Sequence, residues 1–182
     1  MLALLLFALG ARAQQRPSFT ADRGVVAASL PASVLQNAGV RKQLGSGLTT
    51  TFLVVARDGK RVTGARLEVR YDLWDEVWLV KRVEFDGRTE RQRIASNEAL
   101  EKWWRAPLRL LATSAERIAL QVDLSVLPFS AAEEEDARQW ITKSGGVGTA
   151  AGGGGIVDAL IGTTISAKPI TSFRWDVDLS LR

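Results

Sequence analysis

Arg61-Val-Thr-Gly-Ala-Arg-Leu-Glu-Val-Arg-Tyr-Asp-Leu73 is the stretch on which the reading of the fold turns. Ala65, Leu67, Val69, Tyr71 and Leu73 occupy every second position, and Arg66, Glu68, Arg70 and Asp72 fill the places between them. Successive side chains of a strand point to opposite faces, so this pattern predicts a strand of an antiparallel sheet with one buried and one wet side. The same period recurs at the C-terminal end of the chain. There Ile118, Leu120, Val122, Leu124 and Val126 alternate with polar Gln121, Asp123 and Ser125. Phe173, Trp175, Val177, Leu179 and Leu181 alternate with Arg174, Asp176, Asp178 and Ser180. Thr49 to Ala56 is apolar or Thr on both sides, as expected of a central strand.

Turn chemistry punctuates these runs. Asp58-Gly59 and Asp86-Gly87 are hairpin signals, because tight hairpin loops require positive φ. Asp75-Glu76 must be a turn or bulge as well; otherwise Ala65 to Phe85 would form one strand of roughly 70 Å at about 3.3 Å per residue. Beyond it, Val77, Leu79, Val83 and Phe85 continue the apolar positions, with Trp78 and Val80 opposite them. Arg88 to Arg93 is polar throughout and reads as an edge strand whose charges discourage further pairing.

Three helices are expected. One spans Ala32 to Leu44. A second runs from Asn97 to Leu111 behind the capping residue Ser96, with a break or kink at Pro107 near Arg105. A third spans Phe129 to Lys143, opened by the capping box Ser130 to Glu133. The fold class is mainly β (α+β): about seven mostly antiparallel strands in a sandwich or curved sheet, with about three helices. The Gly-rich segment 145–155 reads as a loop within this one domain.

The chain has 182 residues, the length of a single domain, with net charge +4 and neither Cys nor His. Those zero counts exclude disulfides, thiolate nucleophiles, Cys/His zinc sites and a Ser-His-Asp triad. The apolar run Leu2–Leu9 followed by Ala11-Arg12-Ala13 reads as a signal peptide over residues 1–13, leaving a mature domain from 14 to 182. No Lys or Arg precedes that run, and a buried N-terminal strand or helix is the alternative. The run is too short for a membrane span, so none is expected in the mature chain. Export to the periplasm or beyond needs no disulfides in a domain large enough to build its own core.

The hairpin Arg66-Leu-Glu-Val-Arg-Tyr-Asp-Leu-Trp-Asp-Glu-Val-Trp-Leu79, the strand end Val122-Asp-Leu-Ser-Val-Leu-Pro128 and the helix after Ser96 resemble a family of exported Gram-negative bacterial proteins catalogued as a domain of unknown function. The resemblance covers about half the chain and implies an envelope location. It carries over no activity and no site. The Gly-rich stretch departs from that family's pattern.

Candidate chemistry is sparse. Gly146-Val-Gly148 with Gly152 lacks the spacing and the strand-to-helix setting of a nucleotide-binding turn, and no cofactor is expected. No nucleophile motif of the Gly-x-Ser-x-Gly type occurs. The expected role is therefore a non-enzymatic module that contacts an envelope protein or surface. Trp74 and Trp78 on the hairpin are candidate contacts, since exposed Trp concentrates at interfaces. Arg82, Arg88, Arg91 and Arg93 form a candidate basic patch for an anionic partner, with nucleic acid not expected because interleaved aromatics are lacking. One alternative is a calcium- or anionic-lipid-binding module, with Asp72, Asp75, Glu76 and Asp86 as the oxygen ligands for calcium. A second is a hydrolase using a pair drawn from Asp72, Asp75, Glu76, Asp123, Asp176 and Asp178. Against that, Asp72, Asp123, Asp176 and Asp178 lie on the polar faces of alternating strands, where solvated carboxylates belong.

Overall fold

A computed structural model describes residues 16–59, 61–128 and 168–180. The signal-peptide segment, the helix expected over Phe129–Lys143 and the Gly-rich segment lie outside the described residues. Within them the chain runs β1 (Ser18–Asp22), β2 (Val25–Ser29), a 3-10 turn (Ala32–Val34), α1 (Ala38–Leu44), β3 (Thr50–Asp58), β4 (Arg61–Asp72), β5 (Val77–Val83), β6 (Thr89–Ile94), α2 (Asn97–Arg105), β7 (Leu108–Ala112), β8 (Arg117–Leu127) and β9 (Thr171–Ser180). The strands form two sheets, β1-β2-β7 and β6-β5-β4-β3-β8-β9, and all pairings are antiparallel. The mainly β class therefore holds, with nine strands among the described residues rather than about seven.

The alternating segments become β4, β8 and β9, and the doubly apolar Thr49–Ala56 stretch becomes β3 at the centre of the larger sheet. Polar β6 lies at that sheet's edge. One face of the larger sheet is apolar: Phe52, Val54, Leu67, Val69, Val80, Leu120, Val122, Leu124 and Trp175 are all buried there. Strand β7 crosses this face over β3 and β4, so the smaller sheet, α1 and α2 close one core. Trp104 sits at its centre, 1% exposed. Its ring meets Phe52 edge-on with centroids 4.7 Å apart, and its Nε1 donates to the Pro31 carbonyl at 3.0 Å.

Two helix expectations are corrected. The segment Ala32–Leu44 is a 3-10 turn followed by a separate α1, because the Asn37 side chain accepts from the Gly39 and Val40 amides and starts the helix afresh. Helix α2 starts where expected, with Ser96 Oγ accepting from Ala99 N, but it ends at Arg105 rather than Leu111. Ala106, held before Pro107, is extended at φ −61°, ψ 139°, so the chain leaves the helix. Leu108–Ala112 then pairs with β2 as a strand, burying Leu108, Leu110 and Leu111.

The loops set which face of each strand is inward. Gly59 at φ +55° turns β3 into β4. Phe85-Asp86-Gly87, with Gly87 at φ +83° and Glu84 N donating to Arg88 O, turns β5 into β6. Inside the β3–β4 ladder, Gly64 lies opposite Val55, and a Cβ added there would stand 2.4 Å from the Val54 carbonyl oxygen. Backbone rather than a flexible side chain occupies that space. Gly64→Ala is expected to destabilise the fold by about 1–3 kcal/mol through forced backbone displacement, read as a lower urea midpoint with unchanged slope.

Candidate basic face and hairpin tip

The outer face of β4, β5 and β6 carries a graded set of charges fixed by register. Arg70 lies opposite Leu79, and Leu79 opposite Arg93, so these three form one cross-strand row. The next row is Glu68, Lys81 and Arg91. Cross-strand neighbours have Cβ atoms about 4.5–5.5 Å apart, so the cations stand close enough to act on one ligand. With Thr49 they line a shallow depression of 390 Å³, with Leu79 among its lining residues.

The face is not neutralised internally. Glu68 is shared by Arg66 at 3.2 Å and Lys81 at 3.4 Å, and Arg93 pairs with Asp75 at 2.6 Å. Arg70 and Arg91, both exposed, make no ion pair among the described residues. Arg66, Arg70, Lys81, Arg91 and Arg93 thus face Glu68, Asp72 and Asp75, five cations to three carboxylates.

The β4–β5 turn, residues 73–76, adjoins the first row. Asp72 Oδ1 accepts from the Trp74 amide at 3.0 Å and the Asp75 amide at 3.3 Å, and Glu76 takes φ +52°. These amides, that of Asp75 foremost, hold the Asp72 carboxyl below its ordinary value of 3.8, with Arg70 and Arg93 acting in the same direction. The turn projects Trp74, 96% exposed, beside Leu73, 65% exposed. Leu48, 54% exposed, belongs to the same end, since neighbouring Gly47 faces the Leu73 side chain.

The remaining candidates scatter. Trp78 does not share Trp74's exposed surface. It is half-buried on the core side, packs on Tyr71 with centroids 4.8 Å apart and donates from Nε1 to Asn97 Oδ1 at 3.0 Å. Arg82 lies on the opposite face from Arg91 and Arg93 and is 5% exposed. Its guanidinium donates to the Trp103 and Pro107 carbonyls at 2.8 and 3.1 Å and lies 5.1 Å from the Trp103 ring. Burial lowers its pKa, opposed by Glu90 and Glu84, yet the arginine stays charged. Arg88 belongs to the far β5–β6 turn. Asp86 belongs there too, bound to Arg109 at 2.5 Å, and the length of β5, roughly 20 Å, separates it from Asp72, Asp75 and Glu76.

Among the described residues no three acidic side chains group as metal ligands. Asp123, on the outer face of β8, is held between Arg57 and Arg174, and Asp176 accepts from Gln121. Sequence reasoning missed Arg70 and Lys81 as site residues. Arg70 was visible only as one polar position of an alternating strand, and Lys81 joins the face through the β4–β5 and β5–β6 registers. No family model, curated protein or solved structure matches the chain.

Proposed function

We propose that this protein is a non-enzymatic binding module of the bacterial envelope, and that the outer face of β4–β5–β6 holds an anionic partner or surface. The observation that carries the reading is the pair of cross-strand rows in which Arg70, Arg93, Lys81 and Arg91 outnumber their carboxylates around Leu79. Such a surplus creates a local positive potential that attracts and orients anions. A non-catalytic role is supported by how the candidate carboxylates are engaged: Asp72 by backbone amides, Asp75, Asp86 and Asp123 by arginines. Export is supported by the Leu2–Leu9 run with Ala11-Arg12-Ala13, and by the hairpin resemblance to exported envelope proteins.

Retention on a sulfated polysaccharide matrix tests the reading. The protein is expected to bind at low ionic strength and elute as salt shortens the screening length from about 30 Å at 0.01 M to about 3 Å at 1 M. Arg70→Ser/Arg91→Ser is expected to elute at clearly lower salt with its unfolding midpoint unchanged, both side chains being exposed. A protein that flows through at low salt, or a double variant that elutes with the parent, would overturn the proposal.

A further inference from the structure

The apolar tip and the basic face belong to one end of one hairpin, and each lacks what the other supplies. Trp74, Leu73 and Leu48 present large apolar groups to water at the end of the larger sheet. Exposure of that kind, grouped rather than scattered, marks a contact surface. The cations begin immediately behind it. Arg70 lies three residues before the turn in β4, and Arg93 is tied to the turn by its pair with Asp75. Lys81 and Arg91 follow one row further, about 7 Å along the strands.

From this arrangement we infer that the hairpin docks on an anionic lipid bilayer, with Leu73 and Trp74 entering the interfacial layer and Arg70, Lys81, Arg91 and Arg93 meeting the head groups. The inference rests on the anion-binding reading of the same face and adds the identity of the partner. Three features favour a bilayer over a soluble polyanion. Tryptophan has an amphipathic ring suited to the membrane–water boundary. The apolar tip lies beyond the cations rather than among them, which matches the order of acyl layer and head group. A soluble sulfated or phosphorylated chain would leave Trp74 and Leu73 unburied. Among the described residues no helix is long and apolar enough to cross a membrane.

Co-sedimentation with two kinds of vesicle tests the inference. The protein is expected to sediment with vesicles of phosphatidylglycerol and phosphatidylcholine in equal parts, and not with phosphatidylcholine alone. Each cation near an anionic surface is worth roughly a fivefold gain in partitioning, so Arg70→Ser/Arg91→Ser is expected to weaken binding roughly 25-fold. Leu73→Ser/Trp74→Ser is expected to weaken vesicle binding about tenfold or more while leaving retention on the sulfated matrix intact. Trp74→Phe is expected to sediment like the parent but to lose most of the fluorescence quenching by brominated lipid, which places residue 74 itself in the bilayer. Retention on the sulfated matrix without sedimentation overturns the membrane inference and leaves the anion-binding reading standing. Loss of both overturns both. Undiminished sedimentation of Leu73→Ser/Trp74→Ser, or undiminished quenching in Trp74→Phe, also overturns the docking geometry. Equal sedimentation with phosphatidylcholine alone would show that the cations are not used.

Discussion

Trp104→Ala is expected to lower stability by about 3–5 kcal/mol, the cost of removing a fully buried indole and leaving its cavity. Trp104 is 1% exposed, packs edge-on against Phe52 of the central strand and donates to the Pro31 carbonyl. It therefore binds α2 to both the larger sheet and the start of the 3-10 turn. Three losses coincide in the variant: the buried apolar area, the aromatic contact and one of the two donors to a buried carbonyl. Against a total of about 5–15 kcal/mol for an ordinary domain, the variant approaches the unfolding threshold. A fall of about 10 °C or more in melting temperature is expected. Trp104→Phe keeps a ring against Phe52 but loses part of the indole and one of the two donors to the Pro31 oxygen, the Val34 amide remaining at 3.2 Å, and should lose only about 1–3 kcal/mol. If the two variants melt together, the hydrogen bond rather than the volume dominates and the packing account is wrong.

Arg82→Met should be the next most damaging change, at about 2–4 kcal/mol, although it replaces a buried charge by an apolar chain of similar reach. Burying the guanidinium is unfavourable in itself, as the downward shift of its pKa records. Replacing a buried ion pair as a whole by apolar groups often relieves that penalty. Here the partners are the Trp103 and Pro107 carbonyls, and these stay in place when the arginine is gone. Trp103 is in the last turn of α2, where its carbonyl takes the Ala106 amide at 3.2 Å and the helix dipole favours a cation. Without the arginine the Trp103 carbonyl keeps only the Ala106 amide and the Pro107 carbonyl, on an exposed residue, loses its side-chain donor; each charge-assisted bond lost costs about 1.5–3 kcal/mol, less the desolvation relieved. Arg82→Lys should fall between, because an ammonium cannot span two carbonyls as the planar fork does. Urea unfolding of the three proteins checks the order. A Met variant as stable as the parent would show that desolvation of the charge outweighs the two bonds.

The two residues also mark where local pattern stops being informative. The inward face of β4 was legible, because Ala65, Leu67 and Val69 alternate with charges. The inward face of β5 was not. Leu79 and Val83 on one side compete with Trp78 and Val80 on the other, and the periodicity offers no decision between them. The four-residue loop 73–76 decides, by placing Val69 opposite Val80 and Leu67 opposite Arg82. Odd positions of β4 thereby share a face with even positions of β5. A three-residue loop then keeps parity into β6, placing Val80 opposite Gln92. The consequence for the site is direct. Arg82, grouped by sequence proximity with Arg88, Arg91 and Arg93, turns into the core, while Lys81 and Arg70 turn out to complete the basic face. In the same way Trp78 separates from Trp74, and Asp86 from Asp72.

A similar division explains the second helix. Leu100, Trp103, Trp104, Leu108 and Leu111 satisfy helical spacing, and the expected helix extended through them all. Pro107 ends the helix, and Leu108–Ala112 does better as the third strand of the smaller sheet, where it buries three leucines across β3 and β4.

By itself the amino-acid sequence determined the β-dominated class, the central position of β3, the polar edge strand β6, the loops at Asp58-Gly59, Asp75-Glu76 and Asp86-Gly87, and the start of α2. All of these depend on residues within a few positions of one another: alternation, positive-φ turn chemistry and a capping hydroxyl. Only the tertiary structure decided which arginines meet on one surface, which one is held inside as a helix-end partner, and that Trp74 stands almost fully exposed while Trp78 is half-buried. Those outcomes depend on registers set by loop length and on carbonyls supplied by another element, and no short-range pattern encodes either.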